Sequence, residues 1–196
     1  MTLRGLYAIT PEGPGLEAKV RAALEGGAAL LQYRRKQGGS AAEAARIAAL
    51  AREFGVPLIV NDDVALALEV DAAGAHLGRD DGDLRAARAR LAGRLLGASC
   101  YDDLERARQA VAAGADYVAF GSAFPSPTKP QAVRAPLSLF RAARSLGVPL
   151  AAIGGITLER APALLDAGAD LLAVISDLFD APDIRERARQ YARLFR

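Results

Sequence analysis

Gln32, Arg34 and Lys36 in "LQYRRK" stand two positions apart, a spacing that turns all three side chains to one side of an extended chain. Lysine is rare here: it occurs only at Lys19, Lys36 and Lys129, and the other 22 of the 25 basic residues are arginine. Lys129 sits among three prolines in "FGSAFPSPTKP", which restrict the loop before anything binds. Asp62 in "VNDD" and Asp81 in "GRDD" add carboxylates, which repel each other unless a cation lies between them. Hard oxygen ligands, few in number, suit Mg²⁺, which keeps several waters and bridges to phosphate oxygens. Such an ion beside Arg34, Lys36 and Lys129 implies a polyanion, with pyrophosphate the natural candidate.

A second group lies further along, in "IGGIT" and "VIS", with Gly154, Gly155 and Ser176. Backbone N–H groups freed by glycine, together with helix N-termini, make a monophosphate site. Each group also has a plainer reading. Asp62 and Asp63 suit a helix N-terminus, Asp80 and Asp81 a solvated turn, Gln32 to Lys36 local ion pairing, and the glycines a simple turn. His76, the only histidine, reads as a packed, hydrogen-bonded residue, and Cys100, the only cysteine, as inert filling.

These residues need elements to hold them. Eight apolar runs of strand length are present: "GLYAIT", "ALLQYR", "PLIVN", "GAHLG", "RLLGAS", "DYVAFG", "PLAAIGG" and "DLLAVIS". Helical stretches follow each, at 16–25, 40–54, 64–70, 84–91, 103–113, 137–146, 158–167 and 182–195, and Ser40 with Glu43 reads as a capping box. The similar phrases "GGAALL", "AAGAHL", "AAGADYV" and "DAGADLLAV" precede alternate strands, their glycines ending helices in the left-handed conformation. The pattern predicts an α/β fold, a single (β/α)₈ barrel spanning 1–196 with the active site at the C-terminal ends of the strands. A doubly wound open sheet is the competitor, disfavoured because the repeat runs unbroken.

A net charge of +2 with mixed signs gives no broad basic field, so nucleic acid is not an expected partner. No apolar stretch approaches a bilayer span and the N-terminus lacks a signal-peptide core, so a cytoplasmic protein without a membrane partner is expected. One cysteine excludes an intramolecular disulfide, and one histidine leaves Ser-His or Cys-His chemistry a single residue to run through. The oligomeric state stays open.

Along essentially its whole length the chain resembles the thiamine phosphate synthase family, through "LQYRRK", "VNDD", "GAHLGRDD", "LGAS", "FGSAFPSPTKP", "AIGGI" and "AVIS", in order and in strand phase. The resemblance implies a transferase that joins hydroxymethylpyrimidine diphosphate to a thiazole phosphate, or its carboxylated form, giving thiamine phosphate and pyrophosphate by dissociative displacement. It implies that Asp62 and Asp81 hold Mg²⁺ and that Arg34, Lys36, Asn61, Ser99 and Lys129 hold the diphosphate, with Lys129, Ser99 and Arg34 catalytic. Gln32 would address the pyrimidine, while Ser126, Thr128, Gly155, Ile175 and Ser176 would meet the thiazole phosphate. Arg79 stands where the family often has glutamine, Ser126 where threonine is common, and Cys100-Tyr101 where a small residue and histidine are frequent. The rival readings are a thiazole tautomerase, which lacks the full carboxylate and loop pattern, and a noncatalytic phosphate-ligand sensor on the same scaffold.

Overall fold

The computed structural model describes residues 3–35, 40–125 and 133–196. Lys36, Ser126, Thr128 and Lys129 lie outside the described residues. Eight strands, β1 (Gly5–Ile9), β2 (Leu30–Tyr33), β3 (Leu58–Asn61), β4 (Gly74–Leu77), β5 (Leu95–Tyr101), β6 (Tyr117–Phe120), β7 (Leu150–Ile153) and β8 (Leu171–Val174), pair in sequence order as a closed parallel barrel. Every predicted strand is present, because each apolar run is of strand length and is followed by a helix that returns the chain to the barrel's other end.

The helices are α1 (Leu16–Glu25), α2 (Ala41–Glu53), α3 (Val64–Glu69), α4 (Leu84–Leu91), α5 (Leu104–Ala112), α6 (Leu137–Ala143), α7 (Ala161–Ala167), α8 (Ser176–Phe179) and α9 (Ile184–Arg193). Their inner faces carry buried alanines such as Ala44, Ala107, Ala143 and Ala161. Small side chains let the helices sit close on the sheet, which is how so short a chain closes the fold. Aspartates start four of them: Asp63, Asp83, Asp103 and Asp183 each accept a backbone N–H of the first turn.

Three sequence expectations change in detail. Helix α8 was not foreseen; it separates β8 from α9, where one helix over 182–195 is expected. Ser40 accepts from the Glu43 N–H at 3.0 Å, but the Glu43 carboxylate serves Tyr33 and Arg35 instead of completing a capping box. Gly74 is not a helix end: Asp71, at φ 54°, takes the left-handed position after α3. Gly74 opens β4, where a Cβ would lie 1.9 Å from the Leu95 carbonyl oxygen, so that glycine serves strand packing.

Apolar side chains fill two regions. One lies between sheet and helices, with Leu31, Ile47, Val118 and Phe140. The other lies inside the barrel and includes Tyr7, Ile9, Leu30, Ile59, Tyr117 and Leu171. Gln32 and His76 are also buried. The inward parity of the strands thus carries polar groups through the centre of the core.

Candidate active site

Just after β2 two neighbouring arginines have different partners. The backbone of Arg34 is clamped to Thr10 of the β1–α1 connection: its N–H donates to Thr10 Oγ1 at 2.9 Å, and Thr10 Oγ1 donates back to its carbonyl at 3.1 Å. Among the described residues no hydrogen bond or ion pair engages the Arg34 guanidinium, and its charge is felt at Asp62. Arg35 points the other way and is structural. It makes a bidentate pair with Glu43 at 2.8 and 2.9 Å and donates to the Pro11 carbonyl at 2.6 Å. Gln32 is inside the barrel, its Nε2 donating to Tyr7 Oη at 2.7 Å.

After β3 the two adjacent aspartates have different duties. Asp63 caps α3, accepting from the Leu66 N–H at 2.8 Å. Asp62 is held in the left-handed region at φ 65°, its N–H bonded to the His76 carbonyl at 2.8 Å and its Oδ2 accepting from Asn61 Nδ2 at 2.5 Å. A non-glycine residue in that region is uncommon and occurs where the surroundings fix it. The turn delivers Asp62 to Asp81, and burial, then the neighbouring Asp81 carboxyl, push its pKa up to about 6. Asp81 is fixed by its own Oδ2, which accepts the Gly78 N–H at 2.7 Å. Asp83, not Asp81, caps α4. Asp62 and Asp81 line one cleft between the loops that follow β3 and β4.

Ser99 in β5 faces inward and meets His76: the Nε2–Oγ distance is 2.9 Å. The other imidazole nitrogen lies 3.0 Å from Tyr117 Oη, so His76 is the hydrogen-bonded core residue expected, and burial lowers its pKa to about 4. Cys100 is buried, its pKa raised to about 12 mainly by desolvation, as suits an inert thiol. Pairing of β5 with β6 shifts register between Ser99 and Tyr101, and Tyr101 adopts φ 54°. The Arg79 guanidinium lies 4.9 Å from its ring centroid, and Tyr101 Oη accepts the Arg79 N–H at 3.2 Å. Arg79 and Tyr101, which belong to two of the three departures from the family pattern, are therefore partners, and the extra cation is stacked on an aromatic face.

After β7, Gly154 and Gly155 have φ 98° and 61°. A Cβ on Gly154 would lie 2.3 Å from Ser122 Oγ, and one on Gly155 would lie 2.4 Å from the Pro125 carbonyl oxygen. These glycines seat the start of the proline-rich loop, whose Ala123 and Phe124 N–H groups donate to the Ile153 and Gly154 carbonyls. Ile175 leads into α8, and Ser176 is its first residue. Tyr7, Thr10 and Tyr117 are contributors that motif reading misses. Their signal was parity: Tyr7 and Tyr117 fall inward on their strands, as Gln32, His76 and Ser99 do. The described residues thus hold Gln32, Arg34, Asn61, Asp62, Asp81 and Ser99 on β2 to β5 and their loops, and Gly155, Ile175 and Ser176 after β7 and β8.

The fold and rim define a (β/α)₈-barrel enzyme. Residues 6–178 match the family model described as thiamine monophosphate synthase. The chain is 61% identical to a thiamine-phosphate synthase of Aromatoleum aromaticum, with 98% of this chain and 97% of the relative covered. It is 56% identical to one of Thiobacillus denitrificans, with 97% and 94% covered. A solved thiamine phosphate pyrophosphorylase from Pyrococcus furiosus superposes with a TM-score of 0.90 at 35% identity, covering 99% of this chain and 96% of that one. The chain belongs to the thiamine monophosphate synthase family.

Proposed function

We propose that the chain condenses hydroxymethylpyrimidine diphosphate with a thiazole phosphate, or with its carboxylated form with loss of carbon dioxide, to give thiamine phosphate and pyrophosphate, at the rim formed by the loops after β2 to β8. The observation that carries the site reading is the turn at Asp62. A residue that could have capped α3 beside Asp63 is instead held at φ 65° against a second carboxylate.

Two such carboxyl groups, one with its pKa raised by burial and by the other, fit a hard divalent cation and would hold Mg²⁺. When bound, the ion supplies positive charge against the diphosphate oxygens. Arg34, whose guanidinium has no hydrogen-bond or ion-pair partner among the described residues, would add a cation for the same anion, and Ser99 and Asn61 hydrogen-bonding groups. Lys36 and Lys129 are assigned to the diphosphate by sequence, as Ser126 and Thr128 are to the thiazole phosphate.

The chemistry needs no protein nucleophile. The bond from the methylene carbon to the diphosphate oxygen breaks, its electron pair leaves with pyrophosphate, and the electron-rich aminopyrimidine stabilises the cation left behind. The thiazole nitrogen then forms a bond to that carbon. The protein's contribution is position and charge: Gln32 orients the pyrimidine, Arg34, Lys36 and Lys129 stabilise the departing anion, and Gly155, Ile175 and Ser176 hold the second substrate by its phosphate. Lysine suits the moving anion because a compact ammonium can follow it, whereas arginine favours a fixed bidentate partner.

The test is release of pyrophosphate by the purified protein given both substrates and Mg²⁺, with thiamine phosphate formed in equal amount. Release with the pyrimidine diphosphate alone would indicate hydrolysis. None under any condition would favour a ligand sensor.

A further inference from the structure

Five side chains from five strands form one hydrogen-bonded row across the barrel interior. Gln32 Nε2 lies 2.7 Å from Tyr7 Oη, Tyr7 Oη 2.8 Å from Tyr117 Oη, Tyr117 Oη 3.0 Å from His76 Nδ1, and His76 Nε2 2.9 Å from Ser99 Oγ. The tyrosines are buried, and their rings pack edge-on at 5.9 Å while Tyr117 stacks on His76 at 5.5 Å. The ends of the row, Gln32 and Ser99, are the residues assigned above to the pyrimidine and to the diphosphate.

Each hydroxyl has one proton to donate and a neutral imidazole has one N–H, so with every one of these protons spent inside the buried row or on a ligand at its ends the row has two orderings. In one, Gln32 donates to Tyr7, Tyr7 to Tyr117, Tyr117 to His76 Nδ1, and His76 Nε2–H to Ser99. The Ser99 proton is then free for an anion, and Gln32 keeps its carbonyl oxygen for a ligand. In the other sense every bond reverses. Ser99 spends its proton on His76 and faces the anion with lone pairs, and Gln32 offers its NH₂ group. A diphosphate, which only accepts, selects the first sense.

We propose that this row is a positioning device: by joining Ser99 to Gln32 it fixes the amide carbonyl toward the ligand, so that the site selects a pyrimidine whose exocyclic group donates, an amine, over one that accepts, an oxo group. Tyr7, Tyr117 and His76 are its positioning residues. The proposal rests on the reading of the site given above. The buried row transmits an orientation, and no proton has to move along it during turnover.

His76 is the only histidine in the chain, so ¹⁵N-histidine labelling gives one unambiguous imidazole spectrum. With inorganic pyrophosphate and Mg²⁺ present, the expected form is the Nε2–H tautomer; the Nδ1–H tautomer or an averaged mixture overturns the proposal. A spectrum and fluorescence unaltered by pyrophosphate would remove the diphosphate reading beneath it, and the proposal with it. The kinetic arm uses Tyr117→Phe, which deletes one hydroxyl and keeps the ring. Loss of one hydrogen bond's worth of ordering predicts a roughly tenfold rise in KM for the pyrimidine diphosphate and a similar fall in preference for the amino over the oxo pyrimidine, with KM for the thiazole phosphate held within about twofold. An unaltered preference, or equal loss toward both substrates, overturns it. Tyr7→Phe breaks the row one link nearer Gln32 and must give the same pattern, which covers the case in which Tyr117→Phe does not fold.

Discussion

Asp62 and Asp81 meet carboxyl to carboxyl across the gap between the loops after β3 and β4, and Asp62 is held up to a pKa of about 6 by burial and by that contact. Folding raises Asp62 above its ordinary 3.8, so between those two values the folded protein binds more protons than the unfolded chain. Its stability therefore falls as the pH climbs through that window. The side chain is exposed, so solvent screening keeps the effect modest. Metal-free protein should lose thermal stability between about pH 4 and pH 6 through this pair. Asp81→Asn should flatten that loss. Added Mg²⁺ should raise the melting temperature at neutral pH in the natural protein and not in Asp81→Asn, and full activity in excess EDTA would take both aspartates out of the metal role.

Arg34 and Arg35 give a matched pair of substitutions. Arg35→Ala removes a largely buried bidentate partner of Glu43 and should cost about 2 kcal/mol of stability, read by chemical denaturation. Arg34→Ala breaks no side-chain bond among the described residues. It should leave the melting temperature nearly unchanged and lower kcat/KM by roughly 10². Equal effects of the two on stability would contradict the division of labour.

Gly155→Ala would set a methyl group 2.4 Å from the Pro125 carbonyl and force a side chain into a φ of 61°. A cost of about 1–3 kcal/mol is expected from the backbone alone. Because this contact seats the entry to the proline-rich loop, KM for the thiazole phosphate should rise more than KM for the pyrimidine diphosphate, as steady-state kinetics with each substrate varied would reveal.

Lys129→Ala should slow turnover by about 10² or more while the circular dichroism spectrum stays that of the natural protein. Loss of the spectrum would mean that the lysine serves folding instead.

The barrel was legible because its signal is repetitive: eight apolar runs and eight helices in fixed alternation leave few ways to bury both sheet faces. The short helix α8 escaped because four residues carry no periodicity to read. Gly74 was misread because a glycine near a helix end suggests a left-handed cap, whereas its reason is the Leu95 carbonyl beside it. The cations and carboxylates of the candidate site could be named from the sequence; their partners could not. Nothing in "NDD" says which aspartate caps α3 and which turns to Asp81, and nothing in "YRR" says which arginine Glu43 will claim.

By itself the sequence determined the number and succession of strands, the parity of side chains along each strand and the stock of cations and carboxylates, since these follow from local periodicity and composition. Only the tertiary structure decided which of those groups are spent on one another. Barrel closure sets β1 beside β2 and β8, and brings Tyr7 to Tyr117 across the interior, a contact 110 residues apart in sequence. Such proximity is a property of closure and strand tilt, which no short stretch of chain contains.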